Sequence, residues 1–106
     1  MDIVDSLIQV LLDKTASIGE RDDAAMDLGD YDDDRALRAL TKIVTDNKED
    51  SFIFDNCGES IARIWVKRDY FDIDLYQKTV PAARYELYGY IEINKPEWIK
   101  KYNLKP

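Results

Sequence analysis

The residues most able to do chemistry in this chain are carboxylates, and they are concentrated in one segment. The stretch GDYDDDRALRAL, residues 29–40, places four aspartates and a tyrosine directly before an alanine- and leucine-rich pattern. With the aspartates just before it, the segment 22–34 holds seven acids. Such a cluster suits a metal ion, acid–base catalysis, a cationic partner or the capping of a helix. Residue types and spacing distinguish among these four roles.

The spacing of Asp30, Asp32 and Asp34 matches the start of a calcium-binding loop, but the rest of the loop is missing. Such loops need glycine at the sixth position and glutamate at the twelfth. Counting from Asp30, these positions hold Arg35 and Thr41, and Arg35 would place a cation beside the ion. The chain has no histidine and one cysteine, so zinc lacks its usual ligands too. The sequence therefore predicts no metal site and no cofactor.

Catalysis is also disfavoured. The absence of histidine removes the commonest general base near neutral pH, and no glycine-rich phosphate loop is present. Paired carboxylates could cleave glycosides if one were desolvated, but aspartates in a polar turn are expected to be solvated. Cys57 falls on the apolar stripe of a predicted helix, where a buried, unreactive thiol is expected. We expect a protein that is not an enzyme, with carboxylate catalysis as the least favoured alternative.

The choice that remains for the acidic segment lies between helix capping and partner binding. One aspartate can cap the following helix and others favour its N-terminal dipole, but capping does not need seven acids. Two of them, spaced i, i+4, would also repel each other. A docking surface for a basic protein explains the excess, with the tyrosine as a rigid anchor. The predicted partner-binding residues are Asp23, Asp27, Asp30, Tyr31, Asp32, Asp33 and Asp34.

Apolar residues at helical spacing predict helices on both sides of this segment. The first would bury Ile3 and Leu7, and the second would end at Gly29. In the third, Asp34 and Arg38 form a favourable i, i+4 pair. The predicted helices cover residues 2–15, 20–28, 33–45, 51–68, 80–92 and 94–102, with a turn or a short helix at 72–78.

The last third of the chain leaves two questions open. The segment YGYIEI, residues 88–93, alternates enough to be read as a strand instead of a helix. Thr79 and Asn94 are the expected caps of the two helices that begin near Pro81 and Pro96. The aromatic residues of this region suit either core packing or an interface patch; they are Tyr70, Phe71, Tyr76, Tyr85, Tyr88 and Tyr90.

A weak internal repeat emerges when the chain is compared with itself at a shift of 33 residues. Ala25 then falls on Gly58, and Leu28 falls on Ile61. Small residues on one face of a helix permit close packing against the next helix, and the period fits a pair of helices. Gly58 lies inside its predicted helix, where it would let a neighbour approach closely.

The segment 21–65 resembles HEAT-like repeats of the phycobilisome-lyase type. Those repeats place Arg and Ala before an Ala-Leu-Gly segment, followed by an acidic turn and an alanine-rich helix that ends near an aspartate. The matching residues are Arg21, Ala24, Ala25, Leu28, Gly29, Asp33, Ala36, Leu40 and Asp46. The second repeat departs from the pattern, since CGESIARIW replaces Ala-Leu-Gly and FIF stands at the usual Val-Arg entry. The resemblance implies an all-α fold, a short right-handed α-solenoid of about five to six helices in one domain over 1–106, and a binding role without chemistry.

Charge divides the chain into two halves. Residues 1–60 carry 16 Asp/Glu and 6 Lys/Arg, a net charge of −10, whereas residues 61–106 carry 6 acids and 9 bases, a net charge of +3. The acidic balance disfavours direct binding of nucleic acid and favours basic partners. With one cysteine, no basic leader and no apolar run long enough to span a membrane, the sequence predicts a cytoplasmic protein.

These observations favour a small, acidic, non-catalytic binding protein that is monomeric when free and neutralises a basic protein partner. Small acidic proteins of this kind resemble bacterial immunity proteins or antitoxins that cover a cationic nuclease toxin, although no specific immunity motif is visible. The alternative, from the HEAT-like resemblance, is a scaffold or lyase-like accessory subunit of a larger assembly.

Overall fold

The structure, a computed structural model, describes all residues 1–106 and contains helices and no strands. The helices are α1 (Ile3–Leu12), α2 (Ile18–Leu28), α3 (Asp34–Val44), α4 (Phe54–Arg68), α5 (Ile73–Lys78), α6 (Pro81–Asn94) and α7 (Pro96–Lys101), with a 3₁₀ turn at Ser51–Ile53 before α4. The all-helical prediction is confirmed. The expected number of five to six helices is too low, because the segment left open as a turn or a short helix forms α5. The strand alternative for residues 88–93 is wrong, because they lie within α6.

Side-chain caps explain where several helices begin. Ser17 accepts a hydrogen bond from the backbone N–H of Glu20 over 3.1 Å and donates to its carboxylate over 2.9 Å. This N-cap starts α2 two residues before the predicted boundary. Asp72 accepts from the N–H of Leu75 over 3.0 Å, which gives the short helix α5 a defined start.

Two predicted caps are wrong, because each side chain closes the helix that precedes it. The hydroxyl of Thr79 donates to the carbonyl of Tyr76 over 2.7 Å, at the end of α5. The amide of Asn94 donates to the carbonyl of Tyr90 over 2.9 Å, in the last turn of α6. The helices that follow begin with proline at their first turn, as predicted, and have no side-chain cap.

Helices α2 and α4 run side by side in the same direction. The amide of Asn56 donates to Asp22 over 2.9 Å, and the hydroxyl of Ser60 donates to the carbonyl of Ala25 over 2.6 Å. Because later residues of α4 meet later residues of α2, the two helix axes point the same way.

Helices α4 and α6 also run in the same direction. Gly58 meets Ala83 near their beginnings, and Lys95 contacts Asp69 over 2.7 Å near their ends. The three helices α2, α4 and α6 therefore point the same way, and α4 packs against both of the others.

Two glycines permit these close approaches. A Cβ atom on Gly29 would lie 2.6 Å from the Ser60 hydroxyl oxygen, and one on Gly58 would lie 2.6 Å from the carbonyl oxygen of Ala83. The predicted close approach at Gly58 is thus confirmed. Gly29 ends α2, as predicted, but it does so in a right-handed conformation, so its role is to leave space for α4.

All seven helices contribute buried side chains to one hydrophobic core. The predicted inner face of α4 is confirmed, since Phe54, Cys57, Ile61, Ile64 and Trp65 are all buried. The prediction for α1 is wrong by one residue at its start: Ile3 is 55% exposed, and Val4 takes the buried position. Both residues are apolar and they are adjacent in the helix, so only one of them can face the core.

Candidate functional site

The aspartates between α2 and α3 are held by arginines from α4. Asp30 contacts Arg63, and Asp32 contacts Arg68. Arg68 also reaches Asp34 over 2.8 Å, so that a single guanidinium bridges two of the carboxylates. The predicted helical pair between Asp34 and Arg38 is therefore wrong, because a tertiary partner takes its place. These contacts tie the acidic turn to the last two turns of α4.

Asp33 is the cap of α3. Its carboxylate accepts from the backbone N–H of Arg35 over 2.8 Å and from the guanidinium of the same residue over 2.7 Å. The side-chain hydrogen bond, and after it the backbone one, lowers the pKa of Asp33 to about 2. Arg35 also binds Asp2 and Asp5 at 3.0 Å each, so it links the start of α3 to the start of α1.

Tyr31 is partly buried and packs against the hydrophobic core. Its backbone N–H donates to the carbonyl of Leu28 over 3.2 Å, and its own carbonyl accepts from Asp33 over 2.9 Å. The side chain of Tyr31, which the sequence predicts as an anchor for a partner, is thus already partly buried against the core of this chain.

Asp23 and Asp27 differ from the other predicted site residues. Both lie on the solvent face of α2, opposite the buried side formed by Arg21, Ala24, Ala25 and Leu28. Neither has an ion-pair or hydrogen-bond partner within the chain, and their i, i+4 spacing leaves their repulsion uncompensated. The seven predicted residues therefore divide into a paired turn, with a partly buried tyrosine, and two free carboxylates on the helix before it.

A second group of free carboxylates lies between α4 and α6, and sequence reasoning missed it. Asp55 and Glu59 on α4 and Glu86 on α6 have no ion-pair or hydrogen-bond partner. Partial burial, together with the charges of Asp55 and Glu59, raises the pKa of Glu86. The groove beside them has a volume of about 280 Å³ and is lined by Glu59, Glu86, Gly89, Tyr90 and Ile93. Asp55 and Glu59 lie one helical turn apart on α4, but Glu86 comes from α6, so the sequence does not show the three acids as one cluster.

Cys57 lies in the first turn of α4 and is fully buried. Burial raises the pKa of its thiol, with the negative charge of Asp22 acting in the same direction. A thiol held protonated and away from solvent is a poor nucleophile, as expected from its place on the apolar stripe. No group of three or more His, Cys, Asp or Glu side chains is arranged to hold a metal ion.

The aromatic residues of the last third divide between core and surface. Phe71 lies at the centre of a cluster, with ring centroids 5.2 Å from Trp65, 5.4 Å from Trp98 and 4.7 Å from Tyr102. Tyr76 is buried beside it, 5.6 Å away. Tyr85, by contrast, is 66% exposed on α6. The cluster thus joins α4 to α7, while Tyr85 faces solvent.

Comparison with protein-family models, with curated proteins and with solved structures found no match for this chain. None of the helices has the length and apolar character needed to cross a membrane.

Proposed function

We propose that this chain is a non-catalytic acidic binding protein that neutralises a basic protein partner. Its most concrete form is a bacterial immunity protein that inhibits a cationic nuclease toxin. The observation that carries the proposal is the set of carboxylates that have no counter-ion or hydrogen-bond donor inside the chain. They are Asp23, Asp27, Asp55, Glu59, Asp74, Glu86 and Glu92.

Uncompensated carboxylates of this kind create a negative potential that extends into solvent. Such a potential raises the rate of encounter with a positively charged protein and disfavours partners of the same sign. A nuclease needs a positive surface to hold phosphates, so it is a natural complement. The net charge of −7 agrees with this role.

The chemistry of the paired aspartates favours binding over catalysis. Arg35 holds Asp33 ionised through a lowered pKa, which makes that carboxyl a poor proton donor near neutral pH. The only thiol is buried. The turn therefore serves as a fixed structural element beside the free acids of α2.

The alternative function is a HEAT-like scaffold or lyase-like accessory subunit of a larger assembly. It is favoured by the same-direction packing of α2 and α4, where hydrogen bonds join residues 34 and 35 positions apart. The contact of Asp30, in the turn after α2, with Arg63 adds a separation of 33 positions. This offset agrees with the sequence repeat of 33 and is typical of stacked helical repeats. The neighbours of each helix do not follow chain order strictly, however, since α2 and α3 pack mainly against α1 and α4 instead of against each other.

The proposal is tested by capture of the partner from the native host, followed by kinetics with the purified partner. We expect a basic protein whose association slows as the salt concentration rises, and whose nuclease activity is lost in the complex. Asp23→Lys should slow association. Glu97→Lys, an equal charge change on α7 at a carboxylate that already contacts Lys95, is the matched control. Capture of a multi-subunit assembly, with binding indifferent to salt, would instead support the scaffold alternative.

A further inference from the structure

Helix α6 exposes an apolar stripe that the rest of the chain leaves uncovered. Tyr85 is 66% exposed and Ile93 is 80% exposed, although residues on the opposite face of the same helix, such as Leu87 and Ile91, are fully buried. Gly89 lies midway between Tyr85 and Ile93, one helical turn from each. The stripe therefore consists of two large apolar side chains, Tyr85 and Ile93, separated by the gap at Gly89, which we call the notch.

The notch at Gly89 has no cause inside the chain. A Cβ atom at this position would meet nothing within 4 Å, whereas a Cβ atom at Gly29 or Gly58 would collide with the next helix. Glycine in the interior of a helix destabilises it relative to alanine. Gly19 also faces open space, but it lies in the first turn of α2, where the helix interior has not begun. At Gly89 alone, a mid-helix glycine accommodates no neighbour that belongs to this chain.

The acids beside the notch specify the charge of what would fill it. Glu59 and Glu86 line the same groove as Gly89 and Ile93. The negative charge of Asp55 contributes to the raised pKa of Glu86. None of the three carboxylates has a cation from this chain. A ligand that brought positive charges to them would relieve their mutual repulsion and also cover the apolar stripe.

We infer that the groove between α4 and α6 docks a basic amphipathic segment of the protein partner. An apolar side chain of that segment sits over Gly89 between Tyr85 and Ile93, and its lysines or arginines face Asp55, Glu59 and Glu86. Binding thus combines a desolvated apolar anchor with charge complementarity, the combination typical of strong contacts in protein interfaces. This inference rests on the proposed function, because it names the place where the basic partner is held.

The test uses a lysine–leucine amphipathic peptide as the probe and amide chemical shifts of the full chain as the readout. The expected result is a set of shifts at Glu59, Glu86, Gly89, Tyr90 and Ile93. A glutamate–leucine peptide of the same pattern and a lysine–serine peptide without apolar residues should both fail to produce them. Shifts confined to the turn at 30–34 or to α2 would overturn the inference and leave the proposed function standing. No binding by the lysine–leucine peptide would also overturn it, while partner capture tests the function separately.

Two variants separate docking from a structural role. Gly89→Ala and Glu86→Gln should each raise the melting temperature, since one adds helix propensity and the other removes repulsion. Both variants should nevertheless lower the affinity for the lysine–leucine peptide by about tenfold. Gly89→Ala fills the notch, and Glu86→Gln removes a partner for a cation of the peptide. Gly19→Ala is the matched control and should leave peptide affinity unchanged. Unchanged affinity in both groove variants would refute the docking site.

Discussion

Arg21 and Glu49 form an ion pair inside the protein: Nη1 of the arginine lies 3.0 Å from Oε1 of the glutamate, and their side chains are 5% and 4% exposed. Nε of Arg21 also donates to the carbonyl of Leu11 over 2.9 Å, at the end of α1. The pair therefore connects α1, α2 and the segment before α4. Nη2 of the arginine is buried without a partner, so the network is already short of one acceptor.

Removing one member of this pair should be costly. Glu49→Ala leaves a buried guanidinium without its counter-ion, and we expect the free energy of unfolding to fall by about 3–5 kcal/mol. Urea unfolding of the wild type and the variant measures this difference. Lys14→Met is the control, because Lys14 is 3.8 Å from Glu49 but largely exposed, and its loss should change stability by less than about 1 kcal/mol. Equal losses in the two variants would show that the buried pair is not special.

Acid should destabilise the fold through carboxylates whose pKa is lowered by arginine. The hydrogen bond from Arg21 lowers the pKa of Glu49, and that from Arg35 lowers the pKa of Asp33 to about 2. The stability they contribute is complete above the unfolded-state pKa of about 4 and is lost as pH falls through the lowered values. Urea titrations across this range should show a falling free energy of unfolding. Asp33→Asn should flatten part of the slope, because it removes one of the carboxylates whose pKa is lowered.

The predicted partner-binding aspartates should separate by their effect on stability. Asp33→Ala removes the cap of α3 and should lower the melting temperature. Asp27→Ala removes one member of a repulsive pair on α2 and should leave the melting temperature equal or slightly higher. Thermal unfolding followed by circular dichroism measures both. A loss of stability on changing Asp27 would reveal a partner for it within the fold.

The same geometry affects any charge reversal in the turn. Lysine in place of Asp32 would stand against Arg68, and lysine in place of Asp33 would leave α3 without its cap. We expect the variant that carries both Asp32→Lys and Asp33→Lys to melt at a lower temperature than the wild type. Slower partner association by this variant would therefore need comparison with Asp23→Lys, which leaves the turn intact.

Gly58 and Gly89 should respond oppositely to the same substitution. In Gly58→Ala the new Cβ lies 2.6 Å from the backbone carbonyl of Ala83, so α6 must move, and we expect a loss of about 1–3 kcal/mol. In Gly89→Ala the Cβ enters open space, and improved helix propensity should add about 1 kcal/mol. Urea unfolding of the pair measures both effects. Stabilisation by Gly58→Ala would contradict the close packing of α4 on α6.

Calcium, magnesium and zinc should leave the melting temperature unchanged. Guanidinium groups contact the carboxylates of Asp30, Asp32, Asp33 and Asp34, and a metal ion would have to displace them. Differential scanning fluorimetry with each ion, against a chelator control, tests this expectation. A rise of several degrees at micromolar metal would reveal a binding site, since a ligand that binds the folded state stabilises it.

The helices were predictable from the sequence because their signal is local. The stripe of Phe54, Cys57 and Ile61 repeats within a few residues and needs no knowledge of what covers it. Caps were less predictable, because Thr79 and Asn94 can either cap the following helix or close the preceding one. Their hydrogen bonds to Tyr76 and Tyr90 depend on backbone geometry that the residue type does not specify.

The sequence was enough to predict that the candidate site is rich in carboxylates. It was not enough to predict which arginines those carboxylates contact. The excess of acids in 22–34 is visible in the sequence, but Arg63 and Arg68 stand more than 30 positions from the aspartates they contact. The internal shift of 33 residues, which places Asp30 on Arg63, was the one available signal for that contact. The Asp55, Glu59 and Glu86 group left no comparable trace, because Glu86 joins the two acids of α4 only when α6 packs on α4.

The burial of Cys57 makes the chain its own reporter of opening. It is the only thiol, it lies in the first turn of α4, and it has no exposed surface. A thiol reagent can modify it only when α4 separates from the residues packed over it, so the labelling rate measures the free energy of this opening. Comparing this rate with and without a bound partner would show whether binding slows the opening of α4, which is one of the two helices that form the groove.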